Sequence, residues 1–296
     1  MPQIPLLEDA ASVRRLEVMT RRMVNNVLAG EYHSVFRGQG MAFNEVREYA
    51  PGDDIRTIDW NVTARTHVPH VKRYVEEREL TVIFAVDVSG STVFGSCTRR
   101  KRSLAALITA VLGLSAIRNN DRVGLMLFSD KVEKYIHPRK GRSHGLRVIT
   151  ELLSEPEGRG TDIVGALHSL NRLQKRKAVV FLLSDFMQDG LRRALSVTNQ
   201  RHDLIAVTIT DPREIELPPV GLLEVQDAET GERVIVDTSN SGVRRRYEAI
   251  MKGRRQELTR LFRQLQIDHI PLRTDRDVER PLMQFFERRA ARLAHE

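Results

Sequence analysis

The chain has a single cysteine, Cys97, in 296 residues. One thiol excludes an internal disulfide framework and suits a reducing compartment. Aromatic residues make up only 5%, so stacking platforms for single-stranded nucleic acid are scarce. No stretch approaches the roughly 20 consecutive apolar residues that a membrane span needs. The opening segment MPQIPLLEDAASVRR lacks the apolar core of a signal peptide. His33, His67 and His70 show no metal-ligand spacing. The loop Asp87-Val88-Ser89-Gly90-Ser91-Thr92 is no glycine fingerprint, which removes a nicotinamide-binding reading. The expectation is a cytoplasmic protein, with peripheral membrane contact left open.

What is present is ordinary globular composition, with 41% hydrophobic and 29% charged residues. The length allows one large α/β domain with an appendage, or two small domains. Net charge is +8. That balance is open to nucleic acid, anionic lipid or an acidic protein as partner, or to none of these in an arginine-rich soluble protein.

Leu16, Met19, Met23 and Val27 recur at helical spacing within residues 8–28, and Gly30 would end that helix. Residues 31–78 carry turn signals at Gly38-Gln39-Gly40 and Pro51-Gly52-Asp53-Asp54 and predict irregular chain with short strands. From Leu80 onward, apolar runs alternate with helical patterns. Strands are expected at Thr81 to Val86, Val123 to Phe128, Ala178 to Leu183, Leu204 to Thr210 and Ile267 to Leu272. Val132 to Ile136 would pair back on the second of these, and Leu222 to Val236 reads as a hairpin. Helices are expected at Ser103 to Ile117, Ser143 to Leu153, Ile163 to Leu173, Leu191 to Asn199, Val243 to Leu265 and 277–294. This alternation predicts an α/β fold with a doubly wound, mostly parallel sheet covered on both faces. The expected organisation is an N-terminal helix and extension over 1–78, the main domain over 79–275, and a C-terminal helix over 276–296 packed on it.

Three oxygen-rich segments punctuate the alternation. Asp87-Val88-Ser89-Gly90-Ser91 follows the first strand, Gly160-Thr161-Asp162 precedes a helix, and Ser184-Asp185 follows a later strand. Asp87, Ser89, Ser91, Thr161 and Asp185 together offer carboxylates and hydroxyls with no sulfur or imidazole. Hard oxygen donors of this kind suit Mg²⁺ foremost, or Mn²⁺ or Ca²⁺, and not zinc or copper. In a doubly wound sheet, ligands gather beyond the carboxyl ends of the strands where strand order reverses. Asp87 and Asp185 would both stand at that edge. Each segment alone also reads as a turn or a helix cap, Thr161 as cap of the Ile163 helix among them.

Asp87-x-Ser89-x-Ser91 with the later Thr161 and Asp185 resembles the metal-ion-dependent adhesion site of von Willebrand factor A domains. That resemblance covers about residues 79–275 and implies that the serines and threonine contact a cation directly or through water. Whether Thr161 or Asp185 touches it directly stays open. Upstream, His33-Ser34, Gly38-x-Gly40, Arg47-Glu48-Tyr49, Gly52-Asp53-Asp54-x-Arg56-x-Ile58-Asp59-Trp60 and Ala64-Arg65 resemble the signature of the bacterial domain-of-unknown-function 58 family. Its members are associated with MoxR-type AAA+ ATPases. The resemblance implies an adaptor that works with such an ATPase and binds a client through an acidic residue.

Physically, the dense charges of that signature would form a salt-bridged belt, with Trp60 as its apolar anchor. A hydrolytic site on Asp53, Asp54 and Asp59 lacks a recognisable nucleophile, base or phosphate loop. A Mg²⁺-dependent phosphatase using Asp87 would want a second aspartate where Ser89 stands, and no lysine is evidently placed to assist. Nucleic-acid binding through the helix carrying Arg244, Arg245, Arg254, Arg255 and Arg263 competes with a solvated helix face. The expectation is a non-enzymatic interaction module with no small-molecule substrate.

Overall fold

The computed structural model describes residues 35–36, 42–75, 79–97, 99–152, 158, 160–226 and 231–295. The helix expected over 8–28 and the signature residues His33-Ser34 and Gly38-x-Gly40 lie outside them. The chain divides into two compact units, one holding Thr81–Glu296 and the other Phe36–Leu80.

In the larger unit, six strands form one sheet. They are β3 (Thr81–Asp87), β4 (Arg122–Phe128), β5 (Val132–Arg139), β6 (Val179–Ser184), β7 (Asp203–Thr210) and β10 (Asp268–Arg273), in spatial order β10-β7-β6-β3-β4-β5. All neighbours run parallel except β5, which returns antiparallel beside β4. This is the doubly wound, mostly parallel sheet expected from the apolar runs. β3 lies between β4 and β6, so strand order reverses at its carboxyl end.

Burial on both faces explains why β3 and β6 are apolar without alternation. On one face, Ile83, Ala85, Val180 and Leu182 pack with α4 (Ile163–Leu173), α5 (Arg192–Arg201) and Phe262 of α6 (Ser241–Gln264). On the other, Phe84 stacks on Phe181 with ring centroids 5.4 Å apart. There α2 (Lys101–Arg118) lies so close that a methyl group on Gly113 would meet the Phe84 ring at 3.5 Å. α3 (Arg142–Glu151) follows β5, and α7 (Glu279–His295) follows β10. The expected hairpin is β8 (Leu222–Gln226) with β9 (Arg233–Asp237), antiparallel. No helix among the described residues is long and apolar enough to cross a membrane.

The smaller unit pairs β1 (Ala42–Glu48) antiparallel with β2 (His70–Val75), and α1 (Trp60–Thr66) lies between them in sequence. One expectation needs correction here. Trp60 is no buried anchor, since it is 67% exposed at the first turn of α1. Two of the aspartates also act as local caps. Asp59 accepts from the Asn61 and Val62 amides, and Asp54 accepts from the Arg56 amide. A short carboxylate before a helix satisfies amides that have no partner within it, so these acids specify turns. Arg47–Asp53, at 2.6 Å, is a side-chain ion pair of the expected kind.

Candidate functional site

β3 and β6 deliver Asp87 and Asp185 to the same edge of the sheet. Asp87 ends β3 and is 2% exposed. Its Oδ1 accepts from the Ser89 amide at 3.0 Å and its Oδ2 from Ser184 Oγ at 2.6 Å. Ser89, fully buried, opens a 3-10 turn over Gly90–Val93, which swings Ser91 back toward it. The two hydroxyls stand 3.1 Å apart, and Ser91 Oγ donates to Asp185 Oδ2 at 2.9 Å. Asp87, Ser89, Ser91 and Asp185 thus converge in one hydrogen-bonded cluster.

Thr161 is half-buried on the loop that enters α4. Its neighbour Asp162 donates its amide to the Ser129 carbonyl at 2.7 Å. Ser129 follows Phe128, the register partner of Asp87. The Ile163 amide donates to Gln188 Oε1 at 2.7 Å. These anchors hold the Thr161 loop between the end of β4 and the segment after Asp185. The cap of α4 is Asp162, whose side chain accepts from the Gly165 amide, and not Thr161.

Phe186, directly after Asp185, has φ of 56°. A bulky residue in the left-handed region costs about 1–2 kcal/mol. Burial of its ring against Phe262, with centroids 5.3 Å apart, and its amide bond to Ser184 Oγ hold the turn. That turn sets where Asp185 stands.

Sequence reasoning missed Lys101. Its Nζ donates to Asp185 Oδ2 at 2.8 Å and Glu214 Oε1 at 2.6 Å, and the side chain is 2% exposed. Lys101 stands within the basic run Arg99 to Arg102, which reads as a solvated turn. The available signal was its position one helical turn before Leu104 and two before Ile108, on the inward stripe of α2. The expectation that no lysine is placed near the carboxylates is therefore corrected. Asp211, fully buried, was also missed. It takes the Ser96 amide at 2.9 Å, the Ser96 hydroxyl, the Arg213 amide at 2.9 Å and Thr274 Oγ1 at 2.8 Å. It ties the loop after Ser91 to the ends of β7 and β10.

Electrostatics follow from this packing. Burial first, and then the Asp185 carboxylate, push Asp87 up to about 6, although its hydrogen bonds oppose the shift. Burial acts to lower Lys101, but the charges of Asp185 and Glu214 outweigh it and hold the ammonium above its ordinary value. Burial raises Glu214 against the pull of Lys101. One ammonium, Lys101, thus serves two carboxylates, Asp185 and Glu214.

Among the described residues, no group of three or more His, Cys, Asp or Glu side chains is placed to hold a metal. The cluster is of another chemistry, with Asp87 and Asp185 as carboxylates and serine hydroxyls between them. Such neutral and anionic oxygens fit a hard divalent cation of the Mg²⁺ or Ca²⁺ kind.

A mostly parallel α/β domain with an oxygen-donor cluster at its strand-order reversal defines the class of protein. The chain matches the model of the protein family of unknown function DUF58 over residues 45–257, and it belongs to that family. The uncharacterized protein Rv1480 of Mycobacterium tuberculosis is 33% identical over 294 residues, spanning 97% of this chain and 92% of that one. An uncharacterized protein of Mycobacterium avium, MAV169, is 30% identical over 49% of this chain and 85% of its own. Among solved structures, BatB from Bacteroides thetaiotaomicron is similar at a TM-score of 0.44 and 15% identity, over 72% of this chain and 99% of that one. The SpRpn10 VWA domain is similar at a TM-score of 0.37 and 10% identity, over 71% of this chain and 95% of that one. Likenesses so distant say nothing about activity.

Proposed function

We propose that this protein is a non-enzymatic, cation-dependent protein-interaction module. Asp87, Ser89, Ser91, Thr161 and Asp185 would hold a divalent cation, Mg²⁺ foremost with Mn²⁺ and Ca²⁺ as alternatives. A bound cation supplies an open coordination position that attracts a carboxylate. A client's Asp or Glu would take that position. The resemblance to DUF58 adaptors makes a MoxR-type AAA+ ATPase the further partner. Such a role sets the protein in the cytoplasm, where the lone thiol of Cys97 stays reduced, with a membrane surface as the alternative location.

The observation that carries this reading is the convergence of Asp87, Ser89, Ser91 and Asp185 at the reversal of strand order. The raised ionisation of Asp87 supports it, because a buried carboxyl beside a second carboxylate is stabilised by an added positive charge. A phosphatase reading is less well served. Lys101 stands at Asp185, but both oxygens of Asp87 already accept hydrogen bonds, and a nucleophile 2% exposed has no line of attack.

The test is capture of a purified MoxR-type ATPase with Mg²⁺ or with EDTA, comparing the wild type with Ser89→Ala/Ser91→Ala. Capture that needs both the metal and the serines is the expected result. Capture indifferent to both rejects a cation-dependent interface.

A further inference from the structure

α6 and α7 both pack against β10, which is the edge strand of the sheet. Between them runs a cleft of about 1480 Å³ that reaches Asp185 at one end. An open sheet edge needs protection, and here it is walled by arginines. Arg255 and Arg263 project from α6, Arg276 precedes α7, and Arg280 and Arg288 stand on α7.

The charge balance in this cleft is uneven. Asp268 is taken by Arg289 at 2.7 Å and Arg292 at 2.8 Å. Arg273 is paired with Asp275 at 2.8 Å, and Asp185 with Lys101 at 2.8 Å. Arg255, Arg263, Arg276 and Arg280 are exposed and have no carboxylate within ion-pair distance among the described residues. His269, lining the same cleft, registers the excess. Burial and then the charges of Arg288 and Arg255 push its imidazole down to about 4.

We propose that this cleft is a binding groove for an extended acidic segment of a partner polypeptide. Concavity is one reason, since a groove lined by residues of two helices and an edge strand takes an extended chain. The lining is another. Leu258, Pro271 and Leu293 lie between the arginines, and the phenylalanines of the cleft, Phe262 and Phe285, are buried beneath it. It therefore has apolar seats for side chains but no exposed aromatic platform for bases. Strand addition is not the mode of binding. Pro271 interrupts the donors of β10, and the Arg288 guanidinium already donates to the His269 carbonyl at 3.5 Å. Recognition falls to arginine–carboxylate pairs, whose planar geometry suits carboxylates. The groove stands on these arginines alone and requires no cation at Asp87.

Fluorescence anisotropy of a labelled oligo-glutamate peptide against the full chain tests this. The expected result is saturable binding that persists in EDTA and in Ser89→Ala/Ser91→Ala. It should weaken by roughly tenfold or more in Arg263→Glu/Arg280→Glu. These side chains are exposed, so the variant should melt with the wild type, and Arg263→Gln/Arg280→Gln should show a smaller loss in the same direction. Equal affinity in wild type and charge-reversed protein overturns the proposal. So does tighter binding of a single-stranded oligothymidylate of matched charge. Loss of cation binding alone would strike the cluster at Asp87 and leave the groove intact.

Discussion

Asp87 ends its strand with a buried carboxyl that accepts two hydrogen bonds and faces a second carboxylate. Its ionisation moves from 3.8 to about 6 in the folded chain. At about 1.4 kcal/mol per pH unit this corresponds to roughly 3 kcal/mol. The folded state holds the proton more tightly than the unfolded one. The contribution of Asp87 to stability is therefore complete below 3.8 and is lost as pH rises through 6. Asp87→Asn should make the cation-free protein more stable than wild type at pH 7 by about 1–3 kcal/mol, with the difference closing toward pH 4. Thermal melts across that pH range check this, and a destabilised variant at pH 7 would contradict it. Lys101 poses the opposite case. Lys101→Met keeps the volume of the stem but leaves Asp185 and Glu214 without their ammonium. It should cost about 3–5 kcal/mol, part of which Mn²⁺ restores. Melts with and without Mn²⁺ measure both effects, and an unchanged melting temperature would show that the pair carries no such weight.

Among the elements, those buried on both faces were legible in the sequence. β3 and β6 carry unbroken apolar runs, β7 is apolar but for Thr208 between its ends, and α2 is apolar nearly all round, so period and length identify them. Asp87, Ser89, Ser91 and Asp185 were legible because strand ends locate them. What surrounds them was not. Lys101, Asp211 and Glu214 come from remote segments and meet only through the sheet order, which no local pattern encodes. β1 and β2 were not separable from their surroundings because their residues mix charge with apolar positions. Trp60 misled because a lone tryptophan suggests an anchor, whereas its place in the first turn of α1 leaves it exposed. Asp211 is the element-level support of the site, since it latches the loop after Ser91 to β7 and β10. Asp211→Ala removes the shared acceptor of Ser96, Arg213 and the buried Thr274. It should cost about 2–4 kcal/mol and raise local hydrogen exchange around residues 91–97. Hydrogen exchange of this loop is the direct readout, and unchanged protection there would refute the latch.

At the scale of the whole molecule, the net charge of +8 is not spread evenly. Arginines concentrate along the β10 edge between α6 and α7, while the oxygen donors gather where strand order reverses, and the cleft joins the two at Asp185. A cation at the cluster and acidic segments along the cleft would add to one another as separate determinants of a single partner surface. The central claim is the cation itself. Titration of Mn²⁺ into the full chain, followed by electron paramagnetic resonance of the free ion, counts bound metal without reference to any partner. One Mn²⁺ per chain is expected, displaced by Mg²⁺, lost in Ser89→Ala/Ser91→Ala and kept in Arg263→Glu/Arg280→Glu. No bound Mn²⁺, or binding that survives removal of both serine hydroxyls, would contradict a metal centre built on Asp87, Ser89, Ser91, Thr161 and Asp185.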